Sequence, residues 1–191
     1  MSVAAWPELA QRIAGCVACP ELAVTRQHVV VGELPAGARL MIVGEAPGAT
    51  EDESGRPFVG KAGQVLDAAL AAAGLDRSEI AVANVLKCRP PANRRPHPDE
   101  IARCRGWLEA QLGLAAPALV VPLGLTAIGW FLGTRKLVLR EVRGRVHEVD
   151  GYRVLPTYHP SGALRYGPNG EPMQLLRADI ALAAELSRSA A

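Results

Sequence analysis

Net charge is what this 191-residue sequence has least of: 21 Lys and Arg stand against 19 Asp and Glu, leaving +2. Bulk electrostatics therefore do not point to nucleic acid, and such a partner has to be argued from where the basic residues fall. A basic start followed by an apolar run is missing from the first twenty residues. No secretory leader is expected, so the compartment is read as the reducing cytoplasm and structural disulfides are not expected among the four cysteines. Internal repeats and low-complexity linkers are also missing, apart from a small-residue tail after Leu186. A chain of this length is expected to form one domain, 1–191, around one well-buried core. One stretch without charge, Ala110 to Thr134, is long enough to span a bilayer, but two prolines and four glycines interrupt it, and no membrane association is expected.

What is present is a series of short apolar runs. Leu40-Met41-Ile42-Val43, Ile80-Ala81-Val82-Ala83, Leu119-Val120-Val121 and Arg153-Val154-Leu155 each stop at a polar or Gly/Pro-rich turn. Runs of this kind suit strands buried on both faces. Helical patterns lie between the first three: an Ala/Leu-rich stretch from Gly60 to Ala73 closed by Gly74, and one opened by Pro98-Asp99-Glu100. Gly124 opens another, ending near Gly133. The alternation predicts an α/β fold in three layers, α/β/α, with a central, mainly parallel four-stranded sheet. Leu137 to Val149 reads as a hairpin around Arg143-Gly144-Arg145, appended to the sheet. Ligands of such sheets bind beyond the carboxyl ends of the strands, so the chemistry is sought there.

Cys16 and Cys19 form a C-x2-C pair, whereas Cys88 and Cys104 lie on either side of a proline-rich stretch. Four thiolates suit structural zinc or a 4Fe-4S cluster, and spacing alone separates the two poorly; unrelated buried cysteines are the plain alternative. A metal here would tie the N-terminal arm to the segment after the second strand, a structural role. An electron carrier is the rival from another class.

Three strand ends carry unusual sequences: Gly44-Glu45-Ala46-Pro47-Gly48 with Glu51-Asp52, Asn84 through Cys88-Arg89-Pro90-Pro91, and His159-Pro160-Ser161. Together with Gly55-Arg56-Pro57-Phe58-Val59-Gly60-Lys61-Ala62-Gly63-Gln64 and the cysteine pattern, they resemble the family 4 uracil-DNA glycosylases, bacterial and archaeal enzymes with a 4Fe-4S cluster. The resemblance runs from about Cys16 to Leu186. It implies a structural 4Fe-4S cluster on Cys16, Cys19, Cys88 and Cys104, tying an arm of about residues 1–35 to the body. It also implies a monofunctional enzyme, acting as a monomer, that flips uracil from single- and double-stranded DNA and hydrolyses its N-glycosidic bond to start base excision repair.

Base release needs a snug pocket, a flat wall, and hydrogen bonds to the base edge. Gly44, Glu51, Phe58 and Asn84 are the expected substrate-binding set. Phe58 stacks on the base or packs in the core; Asn84 matches uracil N3–H and O4 or forms a turn. Glu51 resembles a family position that limits room near C5, and is otherwise an exposed acid. By the same resemblance His159 is expected to donate to O2 as charge grows on the ring, a core histidine being the alternative, and Glu45 to orient water or stabilise the sugar cation. Lys61, Arg89, Ser161, Leu164 and Arg165 are the expected DNA contacts, with Leu164 or Arg165 as the wedge. Lys87, Arg94 and Arg95 could extend a phosphate-facing stripe.

Two departures stand out. Ala46 occupies the place where better-known uracil glycosylases have an Asp. His97 lies where the family usually has an apolar or small residue, and a related subgroup uses a loop histidine as a nucleophile that stays attached to DNA. The alternatives are therefore a relative with another base preference, a covalently trapped enzyme acting through His97, and a non-catalytic iron-sulfur DNA-binding module.

Overall fold

The computed structural model describes residues 5–134 and 136–189. The first residues of the expected arm and the last two of the small-residue tail lie outside them. Two short helices open the chain, α1 (Ala5–Ala14) and α2 (Pro20–Thr25), followed by β1 (Leu40–Gly44). Next come α3 (Ala49–Ser54), α4 (Lys61–Ala72), β2 (Ala81–Asn84), α5 (Pro98–Ala115) and β3 (Leu119–Pro122). The remainder is α6 (Gly124–Leu132), α7 (Leu139–Val142), β4 (His147–Val149), β5 (Tyr152–Val154), α8 (Pro160–Leu164) and α9 (Glu171–Ser189).

The sheet has the order β2-β1-β3-β5-β4, with β4 antiparallel and every other pairing parallel. Alternate residues of the central strands point to opposite sides and build two cores. Leu40, Ile42, Val82 and Val121 pack with Leu66 and Leu70 of α4 and with Leu176 and Ile180 of α9. Met41, Val43, Ala83 and Val120 pack with Leu108 and Leu112 of α5 and with Ala127 and Phe131 of α6. This is the expected α/β/α arrangement, and the apolar runs are apolar because both faces of each strand are covered. At the β2 edge, Glu33 and Val82 exchange two 2.8 Å backbone bonds, so the arm seals that edge.

The sheet has five strands rather than the expected four, because a hairpin supplies β4. That hairpin turns at Asp150 and Gly151, both with positive φ, and not at Arg143-Gly144-Arg145. Arg143 donates through Nε to Asp179 Oδ2 of α9 at 2.9 Å. Gly144 runs so close that a Cβ there would sit 2.9 Å from Asp179 Oδ1. Its glycine serves a long-range approach to a buried carboxylate, which local alternation does not reveal. The residues just after Leu186 continue α9 as far as Ser189.

Candidate active site

All the strand-end motifs reach one rim. Gly44 closes β1 and Asn84 closes β2, paired side by side. A Cβ on Gly44 would fall on both Asn84 Oδ1 and the Phe58 ring, so the missing side chain lets these two groups converge above the end of β1. Asn84 is buried, yet its side-chain amide makes no hydrogen bond to any described residue. The Phe58 ring lies 5.9 Å from that of His159, tilted by 31°.

Phe58 takes the left-handed backbone conformation, with φ of 52°, a cost for an aromatic residue that neighbours must hold in place. Glu51 supplies much of that hold. One of its carboxylate oxygens accepts from the amides of Val59 (3.0 Å) and Gly60 (2.7 Å), and the other from Gly48 (3.1 Å). Arg77 donates to the carbonyls of Phe58 (3.1 Å) and Pro57 (2.7 Å). Gly63 lies directly under the Phe58 carbonyl, where a Cβ would overlap it.

His159 is half-buried at the entrance to α8. Its Nδ1 accepts from the Ser161 amide at 3.2 Å, which requires that nitrogen to be unprotonated. The neutral ring therefore carries its hydrogen on Nε2. Burial pushes the imidazole pKa down to about 4, against a smaller opposing pull from Glu51, so the ring is neutral at pH 7. The Ser161 hydroxyl, expected to meet DNA, stands 2.7 Å from the same Nδ1. On the other side, Gly124, at φ +79°, approaches His159 so closely that a Cβ would sit 2.9 Å from the histidine's own.

Glu45 follows β1 directly. Its backbone carbonyl accepts from Leu86 at 3.0 Å, and its carboxylate accepts from the Thr126 hydroxyl. Lys61, Ser161, Leu164 and Arg165 are exposed, and Arg89 is half-buried with its Nε on Asn93 Oδ1 at 2.7 Å. Two members of the suggested basic stripe do not belong to it. Lys87 is fully buried, its Nζ donating to the Asn84 carbonyl at 2.6 Å. Arg94 is taken up by Glu100, at 2.7 Å, and by Glu21. His97 is exposed at the start of α5, its amide held by Glu100 at 2.7 Å. It makes no hydrogen bond, ion pair or ring contact with the pocket residues.

Cys16, Cys19, Cys88 and Cys104 line one cavity with Leu22, Leu86 and Trp107, and none is in a disulfide. Donors face the sulfurs: Arg26 Nη1 lies 3.0 Å from Cys88 Sγ, and Trp107 Nε1 lies 3.3 Å from Cys16 Sγ. Burial raises the Cys19, Cys88 and Cys104 thiols, the last to about 11. Donors and buried cations around sulfurs suit thiolates that a metal has deprotonated. Among the described residues no group of three His, Cys, Asp or Glu side chains is placed to hold a single metal ion.

A flat ring, a buried amide and a neutral imidazole thus lie close together beyond the strand ends. Residues 31–181 match the sequence profile of the uracil DNA glycosylase superfamily, and the chain belongs to that superfamily. Its place within it follows from identity. A type-4 uracil-DNA glycosylase of Thermotoga maritima is 43% identical over 162 residues, covering 84% of each chain. Another, from Pyrobaculum aerophilum, is 42% identical over 165 residues, covering 83% of this chain and 84% of its own. A type-5 uracil-DNA glycosylase of Pyrobaculum aerophilum is 30% identical over 193 residues, covering 82% of each. The chain falls in the type-4 branch. No described helix is long and apolar enough to cross a membrane.

Sequence reading missed Thr126, Arg77 and the mooring at Asp179. Their partners stand far away in sequence, and no local pattern announces them.

Proposed function

We propose that this chain is a monofunctional uracil-DNA glycosylase that flips uracil out of single- and double-stranded DNA and starts base excision repair. The observation that carries the reading is the convergence of Gly44, Phe58, Asn84 and His159 on one pocket. Uracil lies on Phe58, and the Asn84 amide, without a hydrogen-bond partner among the described residues, pairs with N3–H and O4. A buried amide left for the ligand rejects cytosine, whose donor and acceptor are exchanged. Glu51 walls the pocket near C5; a carboxylate held by three amides is stiff enough to discriminate against a methyl group.

The N1–C1′ bond breaks with its electron pair going to uracil. His159 donates from Nε2 to O2, where the negative charge gathers, and as a neutral donor it need not surrender its proton. Glu45 faces the sugar, where its charge stabilises the cation and orients the water. The water oxygen bonds to C1′, and its proton ends on the departed base. Ala46 leaves Glu45 without an acidic neighbour on this motif.

Leu164 fills the space vacated in the duplex, while Lys61, Arg89, Ser161 and Arg165 meet phosphates. The four cysteines hold a structural 4Fe-4S cluster that ties the arm, about residues 1–35, to the rest of one domain spanning 1–191. The enzyme works as a monomer in the cytoplasm and uses no redox step. His97 has no part in the scheme: it is exposed, and no hydrogen bond or ring contact joins it to the pocket residues.

The test is an oligonucleotide carrying one uracil, run on a denaturing gel with and without alkali, beside thymine and hypoxanthine controls. Uracil-dependent breaks that need alkali are expected. A slow-migrating, denaturant-resistant species would make His97 a nucleophile instead, and binding without base release would make the chain a DNA-binding module.

A further inference from the structure

We propose that Thr126, on the first turn of α6, is the positioning residue for Glu45, fixing one carboxylate oxygen so that the other faces the reacting sugar and water. The proposal rests on the catalytic reading of Glu45 given above. The hydroxyl of Thr126 donates to Oε2 of Glu45, and Oε1 has no hydrogen bond to a described residue. A glutamate has three side-chain torsions, and holding it in one arrangement costs rotamer freedom. One strong bond to an ionised group offsets that cost before substrate arrives.

Threonine suits the task. Its β-branched side chain has few allowed χ1 states on a helix, so the hydroxyl is placed by the backbone itself. That backbone is anchored, because Leu123 N donates to Val43 O at 2.8 Å and Gly124 N to Thr157 O at 3.0 Å. The same turn thus touches both catalytic groups: Thr126 reaches Glu45, while Gly124 packs on His159. The start of α6 sits between acid and imidazole as a spacer, and Thr126 is the side chain through which it acts on the acid.

The experiment is single-turnover cleavage of uracil DNA by wild type, Thr126→Val, Thr126→Ser, Glu45→Gln and the Thr126→Val/Glu45→Gln double variant. Binding is measured separately with a non-cleavable uracil-site analogue, and melting is measured for each protein. Valine keeps the shape and removes the donor, so roughly a tenfold loss in rate is expected, with binding and melting nearly unchanged. Serine, which keeps the hydroxyl, should recover to within about threefold of wild type, and valine should cost nothing further once Glu45 is Gln.

Wild-type rates for Thr126→Val beside a slow Glu45→Gln would overturn the role of Thr126 and leave Glu45 standing. Losses that multiply in the double variant, or a serine variant as slow as valine, would overturn it equally. A fully active Glu45→Gln would remove the reading of Glu45 and the proposal with it.

Discussion

The pocket and the cysteine centre reach their geometry by opposite routes. Gly44, Asn84 and His159 each stand at, or a few residues beyond, a hydrogen-bonded strand, so closing the sheet brings them together. The cysteines come from the turn between α1 and α2, from the proline-rich segment after β2 and from the middle of α5. Only a small cluster around Leu22 and Leu86 packs there. The pocket is preorganised by the fold, whereas under the proposed function the cysteine region depends on the cluster its sulfurs would hold.

The sharpest break between the two is Cys104→Ser. Iron should fall from about four per chain toward none, and stability by more than ~4 kcal/mol, with limited proteolysis cutting the arm while the sheet persists. An arm that stays protected would show that packing alone holds it, and the contrast would disappear.

Next in size is His159→Ala, expected to slow cleavage by about 10²–10³-fold with iron content unchanged, as for loss of one donor to a developing anion. Gly44→Ala follows. Its new methyl must displace the Phe58 ring and the Asn84 amide, and a loss of at least about tenfold in kcat/KM is expected, larger for uracil than for non-specific DNA binding. Equal losses in both would mean the strand end has collapsed rather than the pocket.

A smaller effect distinguishes the two regions by pH. His159 titrates near 4 in the folded protein, below its usual 6.5, so the unfolded chain takes up the proton first. The stability this contributes is present above about pH 6.5 and lost as pH falls toward 4, by ~3 kcal/mol or less. Melting of His159→Gln should depend less steeply on pH over that window than wild type. Smallest of all, Lys61→Ala or Arg165→Ala should weaken DNA binding about threefold and flatten its salt dependence by roughly one charge, without changing the single-turnover rate at saturation.

The same division governs what the sequence reveals. β1, β2 and β3 are legible as apolar runs because their burial on both faces leaves no alternation, and α4 and α5 begin where Gly60 and Pro98 announce them. The motifs mark their strand ends because glycine, proline and polar residues crowd there. What stays illegible is whatever depends on partners distant in sequence. Lys87 reads as a surface cation, yet it lies buried beneath Asn84. Arg143-Gly144 reads as a turn, but its geometry answers to Asp179 on another helix. Glu51 reads as a residue limiting room near C5 or as an exposed acid, yet its carboxylate is held by the Gly48 amide in a local capping contact and by the Val59 and Gly60 amides, which no local pattern predicts.

Asp179 also reaches back to the site from the far end of the chain order. Its buried carboxylate accepts from Thr157 at 2.5 Å and from Arg143, so the segment leading from β5 into His159 is tied to the final helix. The site is thus closed by a carboxylate that comes later in the chain than every motif that builds it.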